Sequence, residues 1–396
     1  MTGAPGGLAG AQELAPVVIK RTIELAETPA PTGAEQARAE VVVRWWDEDG
    51  WAPRTDAAGN VWAQVADGPG PGLLICAHLD TVFPADLPHG VAAAAGRLCG
   101  PSVGDDSIGV AALSAVATLL RAGQDGQPAA GQAEPVEPAG PAGLAGPMGP
   151  VWLVATVGEE GMGNLAGIRH ALAHPPGPVA AVIAVEGNYL GRVVIIGVGS
   201  IRWQVRYTGP GGHAWERSEA PSAVHAAAGG AARLAALVGR PVAGAHCTVN
   251  VGLIGGGEAI NARARDAWFD VDLRADDAKA LARLEKRARR ILAVVPPGIS
   301  VEIEEIGRRP AGSVAPSSPI ARAAVTALRN AGLPHSFRAA STDANAALDA
   351  GIPAVALGVT RGEGEHTPEE WIETAPVPAG LIALADTIAL LREENP

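Results

Sequence analysis

Residues 73–82 read LLICAHLDTV, and the way that stretch resolves decides the fold. Its first half, Leu73 to Ala77, is a short apolar run of the kind that fills a buried strand. Without a spacer it gives way to His78-Leu79-Asp80. Alternate residues of an extended segment share a face, so His78 and Asp80 project together at the strand's end. Open α/β sheets place their chemistry beyond that end. A neutral imidazole is a good zinc ligand, and a carboxylate two residues on can take its other N–H and fix the tautomer. Alone, the pair would be no more than polar residues opening a surface loop.

Partners follow downstream. Asp105-Asp106 lies in a glycine-bounded loop, Glu159-Glu160 ends one apolar run, Glu186 ends another, and His366 sits in a Gly/Glu loop. Such a His/carboxylate set suits two hard-to-borderline divalent cations. In Glu159-Glu160, side chains at adjacent positions are expected to diverge. That suggests one carboxylate as ligand and its neighbour as general base. The commoner fate of a Glu-Glu pair is a solvated turn, but this one follows VWLVATVG and precedes Gly161-Met162-Gly163. In GPSVGDDSIG, a single Asp can bridge cations about 3.5–4 Å apart, while Asp106 or Ser107 is suited to cap the helix starting near Ile108. His366, in GEGEHTPEEW, precedes the helix-start signal Thr367-Pro368-Glu369. His213, in TGPGGHAWE, follows turn residues and could donate to a developing oxyanion. The other histidines have no comparable setting.

Composition sets the bounds. At 396 residues, with 47% hydrophobic and 18% charged residues, the chain is globular. The formal charge is −12 and the lysines are Lys20, Lys279 and Lys286, so no basic face for nucleic acid is visible. Cys76, Cys99 and Cys247 are scattered, which indicates neither a disulfide framework nor a thiolate zinc site. No apolar run approaches the length of a membrane span, and the N-terminus lacks a signal-peptide pattern, so a cytoplasmic protein without membrane contact is expected.

The order of elements divides the chain. Helical periodicity at 10–26 and 34–49 flanks the breaker cluster Thr28-Pro29-Ala30-Pro31-Thr32-Gly33. Strand patterns at 51–55, 61–66, 73–77, 151–157 and 179–185 alternate with helices at 108–121 and 164–173, which argues for a mostly parallel sheet. Residues 122–150 turn to Gly, Ala, Pro and Gln and read as a low-complexity surface loop. From 200 to 309 the order becomes strand, helix, strand, strand, helix, strand. This is the ferredoxin-like βαββαβ plan, read as an inserted second domain. Helices at 319–331, 343–350 and 376–393, with strands at 336–338 and 354–358, then return to the first grammar. The first domain is therefore 1–199 with 310–396, interrupted by 200–309.

Five boxes together resemble the M20 family of dizinc metallopeptidases, which includes carboxypeptidases, dipeptidases, aminoacylases and deacetylases, with peptidase T-like features. AHLDTVFP, GPSVGDDSIG and VGEEGMG resemble the metal boxes, GGHA the second-domain histidine segment, and ASTDANAALDAGIPAVALG…GEGEHTPEEW the closing motif. The resemblance implies a catalytic α/β domain with an inserted lid and dimerisation domain. It implies two divalent ions, zinc first, with cobalt or manganese as alternatives. His78, Asp105 and Glu186 would hold one ion, and Asp105, Glu160 and His366 the other. Asp80 would orient His78, Glu159 would be the base, and a metal-bridging hydroxide would attack an amide carbonyl. His213 would be the oxyanion donor, reaching an active site in a homodimer.

Glu186 stands where peptidase T-like aminopeptidases tend to have Asp; members with Glu tend to cleave next to a free carboxylate. Asn261, in GGGEAINARA, and Arg274, closing AWFDVDLR, resemble the insert's carboxylate-anchoring pair. The bland alternative for Arg274 is a salt bridge with Asp272 or Asp276. The expected substrate is a dipeptide, short peptide or N-acyl amino acid. The rival readings are a peptidase T-like aminopeptidase and a non-catalytic binding protein on the same scaffold.

Overall fold

A computed structural model describes residues 7–125, 149–239, 242 and 244–393. The segment read as a low-complexity loop lies almost wholly outside the described residues. The chain forms two compact units, Met1–Ile196 with Ser313–Pro396, and Gly197–Gly312. The unit boundaries fall three residues outside each end of the 200–309 insert read from sequence.

In the first unit a mixed sheet runs in the order Arg54–Thr55, Val61–Ala66, Val151–Thr156, Gly72–His78, Val179–Val185, Ala354–Leu357, Arg192–Gly197. The Gly72–His78 strand is central and pairs in parallel with both Val151–Thr156 and Val179–Val185. Ala354–Leu357 continues the parallel set. Every residue of the Gly72–His78 strand is buried. Leu73, Ile75 and Ala77 enter the core on one face, while Leu74 and Cys76 enter a second core on the other. A strand covered on both sides needs apolar residues at every position, hence the unbroken LLICA. Parallel pairing also brings the C-terminal ends of three strands to one edge, where His78, Thr156 and Val185 stand before the loops that carry the polar residues.

The Ile108–Asp125 helix packs under this sheet against the Gly7–Ala26 and Val377–Glu393 helices. Val103–Gly123, 21 residues with mean hydropathy 1.4, is long and apolar enough to cross a membrane, which the sequence reading did not anticipate. It is 83% buried, so the protein core accounts for its apolar surface. The sequence reading also has no strand at Arg192–Gly197.

The second unit is an antiparallel sheet in the order Cys247–Gly256, Asp266–Ala275, Gly199–Thr208, Ser300–Arg309, joined in the βαββαβ sequence by helices Ala223–Ala235 and Ala278–Leu292. Period-two alternation sends Ile201, Trp203, Val205 and Tyr207 into the helix-covered core, with Phe269, Val271 and Leu273 beside them. Asp277 starts the second helix by accepting the Ala280 N–H at 2.7 Å. Along that helix Lys279, Arg283, Lys286, Arg287 and Arg290 are all exposed. Spacings of four, seven, eight and eleven residues put them on one stripe opposite Leu281, Leu284, Ala288 and Leu292. The net charge of −12 conceals this basic face, and the expectation that none exists is corrected here.

Candidate metal centre

His78 closes the central strand and is almost fully buried. Its Nε2 lies 2.9 Å from Asp105 Oδ1. Its Nδ1 is 3.0 Å from the main-chain carbonyl of Asp80 and 3.5 Å from that residue's Oδ1. The nearer orienting acceptor is thus the Asp80 backbone. The Asp80 carboxylate is spent mainly elsewhere: Oδ1 accepts the Glu159 N–H at 2.9 Å, and Oδ2 accepts the Glu160 N–H and the Thr32 hydroxyl, both at 2.8 Å. Burial opposes the charge on Asp80, but the hydrogen bonds from His78, the Glu160 N–H and Thr32 bring its pKa below the ordinary value.

Asp105 stands in the Val103–Ser107 turn, joined to Asp106 by a cis peptide bond. Its two oxygens face different histidines, Oδ1 toward His78 and Oδ2 toward His366 Nε2 at 3.2 Å. His366 Nε2 is also 3.1 Å from Glu160 Oε1. Burial disfavours ionised Asp105, yet the hydrogen bonds from His366 and His78 hold its carboxyl far below the usual range. The partner carboxylates Asp105 and Glu160 lift His366 to about 10. For His78 burial works against protonation, but Asp105 and Asp80 outweigh it and raise the pKa well above the ordinary value. Glu186 lies just past the Val179–Val185 strand. Burial, reinforced by negative Asp106, Asp105 and Glu159, pushes its carboxyl well up.

Three groups of side chains each bring their ligand atoms within 4.8 Å of one another: His78, Asp105 and Glu186; Asp105, Glu160 and His366; and His78, Glu159 and Glu160. The first two are the sets expected from sequence, and Asp105 belongs to both. The donor chemistry fits two divalent cations, since each set offers one imidazole nitrogen and two carboxylates. The crowding of like charge around Glu186 is what a bound cation would relieve. The third group corrects the expectation that Glu159 and Glu160 diverge.

Several residues that support the site were given another role by the sequence, or none. Asp106 is not a helix cap: its fully buried carboxylate accepts the His78 N–H at 3.2 Å and the Gly187 N–H at 2.9 Å. It thereby ties the end of one strand to the residue after Glu186. Gly109 makes room for it, since a Cβ there would come within 1.9 Å of Asp106 Oδ1. Glu35, near the breaker cluster, accepts the Gly158 N–H at 3.1 Å, next to Glu159. Arg38 is fully buried, donating to the Thr28 and Leu79 carbonyls and to Ser102 Oγ. Burial lowers its pKa to about 10 against the pull of Asp80, Asp106 and Glu370. Glu370, also fully buried, accepts the Gly104 and Asp105 N–H groups. Burial first, then the Asp105 charge, pushes its carboxyl up to about 9.

The remaining predicted residues lie in the second unit. His213 is exposed in a two-residue strand paired with Ala262-Arg263, and Asn261 accepts the Ala214 N–H through its main-chain carbonyl. His213 Nδ1 accepts from the Trp215 and Glu216 N–H groups at 3.3 and 3.4 Å, which leaves the ring proton on Nε2. Arg274 is engaged by Asp272 through Nε and Nη2, both at 2.9 Å, so the salt-bridge alternative for it is formed.

Comparison with known proteins agrees with this architecture. A tripeptidase from Staphylococcus aureus subsp. aureus Mu50 superposes with a TM-score of 0.75 at 20% identity, covering 96% of this chain and 99% of that one. The aminopeptidase PepT of Bacillus cereus gives 0.72 at 19% identity, covering 95% and 99%. The YXEP protein of Bacillus subtilis, a dinuclear metal-binding peptidase of the M20 family, gives 0.67 at 18%, covering 96% and 99%. At these identities the likeness is one of fold. No curated protein matches the sequence. Residues 74–390 match peptidase family M20/M25/M40, a span that takes in every candidate ligand, and the chain belongs to that family of hydrolases.

Proposed function

We propose that the protein is a two-metal amidohydrolase that cleaves an amide bond next to a free carboxylate, in dipeptides, short peptides or N-acyl amino acids. The observation that carries this reading is Asp105, whose two oxygens face the histidines of two separate ligand groups. His78, Asp105 and Glu186 would hold one divalent ion and Asp105, Glu160 and His366 the other, with zinc the first candidate. When bound, such ions supply Lewis acidity to a carbonyl and lower the pKa of water toward neutrality.

The chain's own contribution is placement and proton transfer. Glu159 is held by its main-chain N–H on Asp80, next to ligand Glu160, which is held the same way. It takes the proton of the attacking water and returns it to the leaving nitrogen. His213, with its proton on Nε2, is assigned as donor to the developing oxyanion. The Cys247–Gly256 edge strand of the second unit exposes Leu253 and Ile254, which supports a homodimer formed through that unit.

A second reading, an aminopeptidase acting on short peptides, is favoured by one observation: Arg274, the proposed carboxylate anchor, already pairs with Asp272. The tripeptidase of Staphylococcus aureus and the aminopeptidase PepT of Bacillus cereus, which share this fold, are themselves enzymes of that kind. The two readings separate in an assay of free-carboxylate substrates against their amides and against N-acetylated peptides. Loss of a charge-assisted hydrogen bond of about 1.5–3 kcal/mol should lower kcat/KM for the amides by about 10- to 150-fold. Equal cleavage of amidated substrates sinks the carboxylate reading. Loss of activity on N-acetylated substrates installs the aminopeptidase reading in its place.

A further inference from the structure

Glu370 is four residues beyond His366 and fully buried, an expensive place for a carboxyl group. Its Oε1 accepts the N–H of Gly104 at 3.0 Å and of Asp105 at 2.8 Å. Its own main-chain carbonyl accepts the Gly100 N–H at 2.8 Å, and the next three residues, Trp371–Glu373, pair antiparallel with Arg97–Cys99. On the other side, the Thr367 N–H donates to Gly364 and the Glu370 N–H to Thr367, which fixes the turn between His366 and Glu370. The segments of two ligands remote in sequence are thus joined through one side chain. Gly104 is shaped to the same end: a Cβ there would meet Glu370 Oε1 at 2.6 Å.

We propose that Glu370 is a positioning residue that sets the backbone of Asp105 relative to His366, so that the two can share a divalent ion. The inference rests on the metal-centre reading of His78, Asp105, Glu160, Glu186 and His366. Its content is geometric: one acceptor oxygen at the end of a glutamate-length side chain must reach two N–H groups. A glutamine offers the same oxygen at the same reach. An aspartate keeps the carboxylate but falls one methylene short, and a leucine removes the acceptor.

The test is a Zn2+ titration of full-length apoprotein, in competition with a chromophoric chelator, with circular dichroism on each variant. Wild type should take up two ions, and Glu370→Gln should match it. Glu370→Asp and Glu370→Leu should lose about 10- to 100-fold in affinity for the ion shared with His366, the size of effect met when a ligand's hydrogen-bonding support is removed, and should weaken to a lesser extent the ion that Asp105 shares with His78. The lost turnover of Glu370→Asp should return as zinc is raised, which a general packing defect would not show. If Glu370→Leu does not fold, the Gln and Asp variants decide the matter alone. Any ordering other than Gln retained and Asp weakened overturns the assignment. Failure of the wild type to bind two ions overturns the metal reading itself, and this inference with it.

Discussion

Asp80→Asn tests a carboxylate whose shortest bonds are to main-chain N–H groups and a hydroxyl. In the native chain its oxygens accept two main-chain N–H groups, from Glu159 and Glu160, and the Thr32 hydroxyl, with His78 Nδ1 a more distant 3.5 Å from Oδ1, in a fully buried setting. Asparagine keeps one acceptor oxygen and presents an NH2 group where the other stood. At least one of the two main-chain N–H groups then faces a donor and goes unsatisfied. A hydrogen bond to a charged group contributes about 1.5–3 kcal/mol, and a stranded buried donor costs a similar amount. These overlap, so local opening of the Glu159 loop should become easier by about 3 kcal/mol, or roughly two orders of magnitude in amide exchange. Hydrogen exchange on a peptide spanning residues 157–162 reads that loss directly. Because Glu159 is the assigned base, kcat should fall by about 10- to 100-fold with KM little changed. The near-contact of His78 Nδ1 with the Asp80 main chain is untouched by the substitution, so metal content should stay close to wild type. Unchanged protection at 157–162 would refute the argument that Asp80 serves chiefly as acceptor for this loop. A large loss of metal with kcat per bound metal preserved would return Asp80 to the role of His78 orienter.

Glu159→Ala should abolish turnover while metal content, measured by atomic emission, stays near wild type; full activity would remove Glu159 as the base. His366→Ala should lose one of two ions together with the rate, because its Nε2 faces both Asp105 and Glu160; retention of both ions in a chelator competition would contradict the ligand assignment. Asp56 gives a pH dependence outside the metal site. Burial raises its pKa, but the Trp62 and Asn60 side chains and the Asn60 and Ala58 N–H groups hold it below 3.8 on balance. A depressed folded-state pKa contributes stability that is complete above the unfolded value and is lost as pH falls through the folded one. Urea unfolding of wild type should therefore lose stability more steeply below about pH 4 than that of Asp56→Asn, and parallel curves would show that the loop does not hold the charge.

Two of the candidate ligands, His78 and Glu186, are legible in the sequence because residue type and position point the same way. Imidazole and carboxylate are common metal donors, and open α/β sheets place their chemistry where a strand has just ended. His78 and Glu186 each follow an apolar run that needs burial on both faces, so residue type and place coincide in the text of the chain. Arg192–Gly197 escaped notice for the converse reason. With Val198 alone separating it from Gly199–Thr208, two strands of different units merge into one apolar run. Arg38, Asp106 and Glu370 escaped on different grounds. What each must do is offer a donor or an acceptor to a main-chain group up to 266 residues away, and no local pattern encodes that distance. Gly104 and Gly109 show the same limit from the other side. In sequence one reads as a loop glycine and the other as the second residue of a helix, yet neither has positive φ, and what each is for is the carboxylate oxygen that would otherwise strike its Cβ. Ligand identity is thus written in residue type, whereas the geometry that lets Asp105 face two histidines is written in contacts between distant segments. Substitutions among the supporting residues should accordingly be judged by reach and hydrogen-bonding capacity before charge.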